Sequence, residues 1–279
     1  MADEPNPTLA RRELASVLRR AREQAERTPE QLASFLGVSL PQASRLDSGA
    51  RGYQPKDVRK LVGWYDLGAA ESRRLLELAT EARKRAWWQQ TDLPDAYRTL
   101  IGLEGAAVDI AEYATSFVPG LLQTAAYART QIRSFDASYP DEIIDRAVEV
   151  RLRRQEVLSR APAPRLWVVI DEVALARAPL DPDIRRAQFD HLLVMSKRPG
   201  VTIQVIGLEV GLHPGIGKHL ILLGMGARVP DIAYTEALIE PAIFEQEDEV
   251  AVYRRLWDEL HDVALRPADS RARIAAYLP

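Results

Sequence analysis

Apolar residues recur at helical spacing through residues 9–26, where Leu14, Leu18, Ala21 and Ala25 mark one face and the outer face is expected to carry Arg11, Arg12, Arg19, Arg20 and Arg22. Shorter helical patterns follow: Leu32, Phe35 and Leu36, then Ala43 and Leu46, then Val58, Leu61 and Val62 behind Pro55. Leu75, Leu76 and Leu78 predict a further helix over residues 71–85. Beyond residue 87 the same spacing predicts helices over 95–103, 106–115, 124–133 and 141–160. The period then changes. Leu166-Trp167-Val168-Val169-Ile170 is a continuous, β-branched run and reads as a buried strand, as does 201–206. Residues 218–223 and 232–235 predict two more strands around Gly224, Gly226 and Pro230, and 184–197, 245–263 and 269–278 return to helix. The pattern predicts a multidomain chain: an all-α N-terminal domain, then a larger α+β or mixed α/β domain with a small sheet surrounded by helices. The divisions expected are a disordered lead-in at 1–8, a helical domain at 9–68, a connecting helix at 69–86 and the second domain at 87–279.

Residues 28–49, TPEQLASFLGVSLPQASRLDSG, carry the most local information. Thr28 is an N-cap residue, Pro29 occupies the first helical position, and Gln31 falls where a capping-box partner belongs. Leu32, Phe35 and Leu36 supply an apolar face, and Gly37 is able to adopt positive φ after the helix end. Ser39 then serves as a second N-cap three residues before Gln42. On the next helix Ala43 and Leu46 face inward, leaving Leu40, Pro41, Gln42, Ser44 and Arg45 outside. Pro41 is tolerated because a first-turn N–H has no intrahelical partner. Two short helices joined by a tight turn make a helix-turn-helix, the arrangement that places one helix in the major groove of DNA.

These residues resemble the Cro/cI-type helix-turn-helix of the XRE family. Its core T-Q-E-x-L-A, L-G-V-S and S-R-I-E-x-G corresponds to Thr28-Pro29-Glu30-Gln31-Leu32-Ala33, Leu36-Gly37-Val38-Ser39 and Ser44-Arg45-Leu46-Asp47-Ser48-Gly49. The resemblance implies a double-stranded DNA partner, with Ser44 and Arg45 and then Gln42 as polar contacts. Leu40 and Pro41 replace polar base-reading groups, and apolar groups contact thymine methyls. Arg20, Arg51 and Lys56 are the expected phosphate contacts. The chain departs from the pattern at Pro29, where the family has a Gln able to donate to a phosphate, and at Glu26 and Arg27, where it has Gly and Leu.

Charge and composition narrow the reading. The net charge of −3 divides unequally: residues 1–86 hold 16 Lys and Arg against 12 Asp and Glu, and the remainder 21 against 28. The basic end therefore coincides with the helix-turn-helix, as phosphate binding requires, although the excess is modest. The chain holds no cysteine, which removes disulfides, thiolate nucleophiles and Cys-based zinc sites. No apolar run approaches the roughly 20 residues of a membrane span and no signal-peptide apolar segment opens the chain, so a cytoplasmic protein is expected.

The second part offers little chemistry. His213 and His219 with Asp231 and Glu236 lack the convergence a metal site needs, and structural roles are favoured. Asp171-Glu172 at a strand end are either paired carboxylates for acid–base work or caps of the next helix, the latter favoured. Gly215 and Gly217 before Lys218 lack the remaining parts of a phosphate loop. Trp87 and Trp88 are expected in core packing. Phrases at 118–124 (VPGLLQT), 151–158 (RLRRQEVL), 165–175 (RLWVVIDEVAL), 198–206 (RPGVTIQVI) and 211–215 (GLHPG) resemble the C-terminal domain of WhiJ-like actinobacterial regulators. That resemblance implies a regulator with a small partner protein encoded beside it. The expectation is thus a DNA-binding transcriptional regulator, a homodimer because one such helix contacts too few bases, whose second domain senses a partner protein or ligand, with no cofactor. An antitoxin-like interaction module with weak DNA binding is the alternative, and an enzyme fused to a DNA-binding module comes third.

Overall fold

The computed structural model describes residues 6–236 and 241–279. The chain divides into two compact units: one runs up to Ala106 and takes in the short segment Ala227–Val229, and the other comprises Ala107–Gly226 and Pro230–Pro279.

The first unit is all-α: α1 (Pro7–Gln24), α2 (Pro29–Leu36), α3 (Leu40–Asp47), α4 (Pro55–Trp64), α5 (Ala69–Glu81) and α6 (Asp95–Glu104), with a 3-10 turn at Trp87–Gln90. Leu14 and Leu18 of α1, Leu32 of α2, Ala43 and Leu46 of α3, Val58 and Leu61 of α4 and Leu75 of α5 close one core. Residues 1–5 of the expected lead-in lie outside the described residues. The rest of that stretch is not disordered: α1 begins at Pro7, Asn6 caps it by accepting from Leu9 N at 2.9 Å, and Pro7 and Thr8 are buried. The unit also ends twenty residues beyond the expected division at 86. Asn6 Nδ2 donates to Gly102 O at 2.7 Å and Trp88 Nε1 to Thr8 Oγ1 at 3.3 Å, so the Trp87–Gln90 turn and α6 pack on the start of α1. Gly102 permits this approach, since a Cβ there would lie 2.4 Å from Thr8 Oγ1.

The second unit holds a six-stranded sheet in the order β3-β2-β1-β4-β5-β6, from β1 (Asp109–Ala114), β2 (Arg165–Asp171), β3 (Val201–Ile206), β4 (Leu220–Gly224), β5 (Ile232–Thr235) and β6 (Ala242–Phe244). β1, β2 and β3 run parallel, and β4, β5 and β6 each pair antiparallel to the strand before them in the sheet. The helices are α7 (Ala125–Phe135), α8 (Asp141–Gln155), α9 (Glu172–Ala176), α10 (Pro182–Met195), α11 (Glu247–Val263) and α12 (Pro267–Ala275). Tyr113 stands opposite both Val169 and Leu220, and with Ala233 these residues make one face of the sheet, covered by Val250, Trp257 and Leu260 of α11. This is the mixed α/β domain expected, with two strands more than the sequence predicts. The helix expected over 106–115 is the central strand β1, paired on both edges. The helix expected from 245 starts at Glu247, because residues 242–244 pair with β5 instead. The helix expected to reach 160 ends at Gln155 and tightens into a 3-10 turn at Glu156–Ser159. No helix among the described residues is long and apolar enough to cross a membrane.

Candidate nucleic-acid interface

The turn between α2 and α3 is built from local chemistry. Thr28 Oγ1 accepts from Gln31 N at 3.3 Å while Gln31 Oε1 accepts from Thr28 N at 3.0 Å, a complete capping box. At the other end Gly37 takes φ +69°, and the Val38 N–H returns to Ala33 O at 3.0 Å. Ser39 has the N-cap backbone conformation before α3 but its side chain makes no capping bond; the return arm alone is made, Gln42 Oε1 accepting from Ser39 N at 3.3 Å. Gln42 therefore spends its amide oxygen on the helix and keeps its NH2 group for a ligand.

Arg12 and Arg22, expected on the outer face of α1, are both buried, and the ion pair of Arg22 with Asp47 ties α3 to α1. Arg22 of α1 donates from Nη2 to Asp47 Oδ2 at 2.7 Å and from Nε at 3.1 Å, while its Nη1 donates to Arg27 O at 2.6 Å. Burial opposes the charge on Arg22, but the Asp47 hydrogen bond and charge outweigh it and hold its pKa above the usual value. One guanidinium thus joins α1, the end of α3 and the strap before α2. Gly49 closes α3 at φ +71°, with a Cβ position 3.2 Å from Ala15 Cβ, so α3 also sits close against α1.

On the outer surface Leu40 is 44% exposed, Pro41, Ser44 and Arg45 are exposed, and Gln42 is half-buried. Arg45 Nε donates to Pro41 O at 3.3 Å, which lays the side chain back along the helix. Arg51 is exposed directly beyond α3, its N–H held by Arg45 O at 2.7 Å, and Lys56 is exposed in the first turn of α4. Arg20 is exposed on α1, apart in sequence from these. The sequence pattern put Phe35 on the inward face of α2, whereas it is 38% exposed and stacks on Trp64 with centroids 4.2 Å apart. Arg27 lies over the same Trp64 ring at 5.3 Å, a cation–π contact. Sequence reasoning passed over this trio: Arg27 registers only as a departure from the family pattern, and nothing in the spacing joins α2 to the last residue of α4.

Glu26 just before this strap has φ +52°, a left-handed conformation that a Cβ disfavours. Glu26→Gly should therefore raise the stability of the helical unit by about 0.5–1 kcal/mol, read as a shift in urea midpoint without a change in slope.

A helix-turn-helix domain family matches residues 13–75. The domain of unknown function DUF5753 matches residues 97–276, more than half of the chain. The chain belongs to the DUF5753 family. Neither the curated proteins nor the solved structures gave a match. The helix-turn-helix supports a DNA-binding regulator, and the fold of the DUF5753 region is the six-stranded sheet and its helices.

The DUF5753 domain disperses the titratable residues that the sequence singled out. His213 Nε2 meets Asp171 Oδ2 at 3.1 Å, while its Nδ1 accepts from Gly215 N at 3.3 Å. An Nδ1 that accepts leaves the proton on Nε2, so the ring donates to Asp171. Asp171 also accepts from Val173 N at 2.9 Å as the cap of α9 and from Tyr113 Oη at 3.3 Å. Glu172 accepts from Leu208 N at 2.8 Å and Tyr277 Oη at 3.0 Å and pairs with Arg273. Asp171 thus caps the next helix, the role favoured from sequence for both carboxylates, whereas Glu172 does not cap and instead ties Leu208, Arg273 and Tyr277 together. His219 pairs with Glu112 at 3.2 Å instead, and Asp231 holds Met225 N at 2.9 Å and pairs with Arg254; Glu236 acts on His219 only through its charge. Among the described residues no three His, Asp or Glu side chains form a metal-binding group. Gly217, at φ +71°, and Gly215 lie in a loop closed on itself by Lys218 Nζ donating to Pro214 O. Trp87 and Trp88 pack edge to face with centroids 5.8 Å apart, and Trp88 is buried.

Proposed function

We propose that the chain is a sequence-specific transcriptional regulator of the XRE, Cro/cI type that binds double-stranded DNA through α3. The observation that carries this is the rigid presentation of one polar edge: Ser44 and Arg45 stand exposed on a helix whose angle is fixed by the Arg22–Asp47 pair. Ser44, Arg45 and the NH2 of Gln42 supply donors, Leu40 and Pro41 offer apolar contact to thymine methyls, and Arg20, Arg51 and Lys56 meet phosphates. Binding as a homodimer follows from the small footprint of a single reading helix, with half-sites about 34 Å apart. The DUF5753 domain then receives a signal from a small partner protein or a ligand, in a cytoplasmic and non-catalytic protein.

The test is DNA binding to the chain's own upstream sequence, with and without the neighbouring small protein. Arg45→Ala should lose about 1–3 kcal/mol at the specific site, and Arg20→Ala or Lys56→Ala should weaken all sequences alike and reduce the salt slope by about one. An Arg45 variant with unchanged affinity removes Arg45 from the interface. The exposed Leu40 and the exposed Phe35 favour a second reading, an antitoxin-like docking module with weak DNA binding. That reading requires a shallow salt dependence, where a phosphate footprint gives a steep one.

A further inference from the structure

The helical unit contains a cavity of about 300 Å³ between the first turns of α1 and α6, lined among others by Arg11, Ala50, Trp88, Gln89, Asp95 and Arg98. Its polar groups are mismatched in a specific way. Arg98 donates to Thr91 O at 3.1 Å and pairs with the Asp95 carboxylate. Gln89 spends its amide oxygen on Ala86 N at 3.1 Å, which leaves its NH2 as a donor. Arg11 lines the wall without such engagement: its Nε is buried beneath the surface without a hydrogen-bond partner among the described residues, so an occupant would meet the terminal nitrogens of its guanidinium. The cavity therefore has donors and positive charge in excess, and Asp95, the acid that acts on Arg11, is already shared with Arg98. Burial lowers the pKa of Arg11, and the charge of Asp95 offsets this only in part.

The floor is preorganised. Trp88 is held by its Nε1 bond to Thr8 and by the close approach of Gly102, and the stem of Arg11 passes over Gly52, where an added Cβ would lie 3.5 Å from Arg11 Cδ. A volume near 300 Å³ stands at the small end of the range for ligand sites, enough for a compact ring bearing one charged group. A guanidinium fork matches the two oxygens of a carboxylate or of a phosphate.

We propose that this cavity is a binding site for a small organic oxyanion, a carboxylate or phosphate, which pairs with Arg11 and takes a second hydrogen bond from Gln89. Ala50 stands three residues beyond Asp47, the last residue of α3, so an occupant would bear on the loop that follows that helix. The inference does not depend on DNA reading by α3.

The full chain is titrated with benzoate and with inorganic phosphate at constant ionic strength, following tryptophan fluorescence and Tm. Wild type should bind one or both saturably and gain Tm over a chloride control. Arg11→Gln should weaken that binding by about tenfold or more, the share of a charge-assisted pair, while its Tm without anion stays equal or rises because a desolvated charge has gone. Ala50→Leu, at an exposed position, keeps Arg11 but fills the cavity and should also weaken benzoate. No saturable binding by wild type, or equal binding by wild type and both variants, overturns the proposal. A third arm with a short duplex separates the other source of phosphate: if Arg11→Gln weakens only the duplex, Arg11 is a backbone contact and the cavity proposal fails.

Discussion

Asp47→Ala is expected to lower the stability of the helical unit by about 3–5 kcal/mol, the usual consequence of removing one partner of a buried ion pair. The side chains of Arg22 and Asp47 are only 8% and 11% exposed, so water cannot replace the lost carboxylate. What remains is a guanidinium enclosed by the core with two acceptors, Arg27 O and, at a long 3.4 Å, the half-exposed Glu23 carboxylate, which is a weak substitute for Asp47. Tyr53 and Tyr65 line the same region, and their phenols are pushed up by burial and then by the Asp47 charge; neither offers a negative group to Arg22. For a unit of this size the loss should appear as a fall in Tm of roughly 15 °C or more, large beside a total stability of about 5–15 kcal/mol. Asp47→Asn, which keeps an acceptor, should fall between wild type and Asp47→Ala. The double variant Arg22→Met with Asp47→Ala should recover most of the stability, because the cost lies in the orphaned cation rather than in the missing attraction. If Asp47→Ala and the double variant are equally unstable, the cost does not lie in the orphaned cation. Specific DNA affinity should fall in Asp47→Ala even at temperatures where the unit stays folded, since α3 then loses its ion-pair link to α1 and to the strap before α2 and keeps only the apolar contacts.

The distance from sequence to structure differs between the two units for a physical reason. The elements around residues 28–49 are decided within a few residues: a capping box closes between Thr28 and Gln31, and Gly37 supplies the left-handed turn. Such interactions are short in sequence and legible there. The Arg22–Asp47 pair spans twenty-five residues; its two members are visible as charges in the sequence, but only the fold brings them together and buries them. The cavity beside Arg11 was hidden for the same reason, since its walls come from α1, the loop after α3, the Trp87–Gln90 turn and α6. In the second unit the apolar runs of β2 and β3 declare themselves as buried strands. β1 does not. Its sequence, Asp109-Ile110-Ala111-Glu112-Tyr113-Ala114, carries a glutamate near its middle and reads as an amphipathic helix segment. Only pairing on both edges, β2 on one and β4 on the other, makes it a central strand. The same long-range requirement hides β6, three residues that exist as a strand only because β5 presents an edge.

The glutamate that disguises β1 is also where a single isosteric change should cost most in the second unit. Glu112 is 2% exposed and stands opposite Ile221 of β4, and His219, two residues before Ile221, points to the same face by the alternation of the strand. The two side chains meet at 3.2 Å, while Glu112 Oε2 and His219 Nδ1 have no hydrogen-bond partner among the described residues. Desolvation pulls the His219 pKa down, but the hydrogen bond and charge of Glu112, helped by Glu236 and opposed by Arg154, outweigh it and leave the pKa raised above 6.5. A histidine whose folded pKa is raised adds stability that is complete below the unfolded value and is lost as pH climbs through the folded one. Wild-type stability should therefore decline with increasing pH just above 6.5. Glu112→Gln keeps the shape and removes the nearer counter-charge, and should cost about 3 kcal/mol at pH 5.5, where the buried imidazolium would keep only the more weakly acting charge of the exposed Glu236. At pH 8.5 the ring is neutral in the variant and the cost should shrink to about 1 kcal/mol, that of an altered hydrogen bond. The sign of the pH dependence should reverse as well. With Glu112 neutral, desolvation dominates, the His219 pKa drops below its unfolded value, and the variant gains stability as pH rises through the region where wild type loses it. Urea unfolding at half-unit steps from pH 5.5 to 8.5 reads both slopes, and His219→Gln should flatten the wild-type decline. Parallel pH curves for wild type and Glu112→Gln would mean that the pair does not control the charge on His219, and that β1 tolerates its glutamate by some other contact.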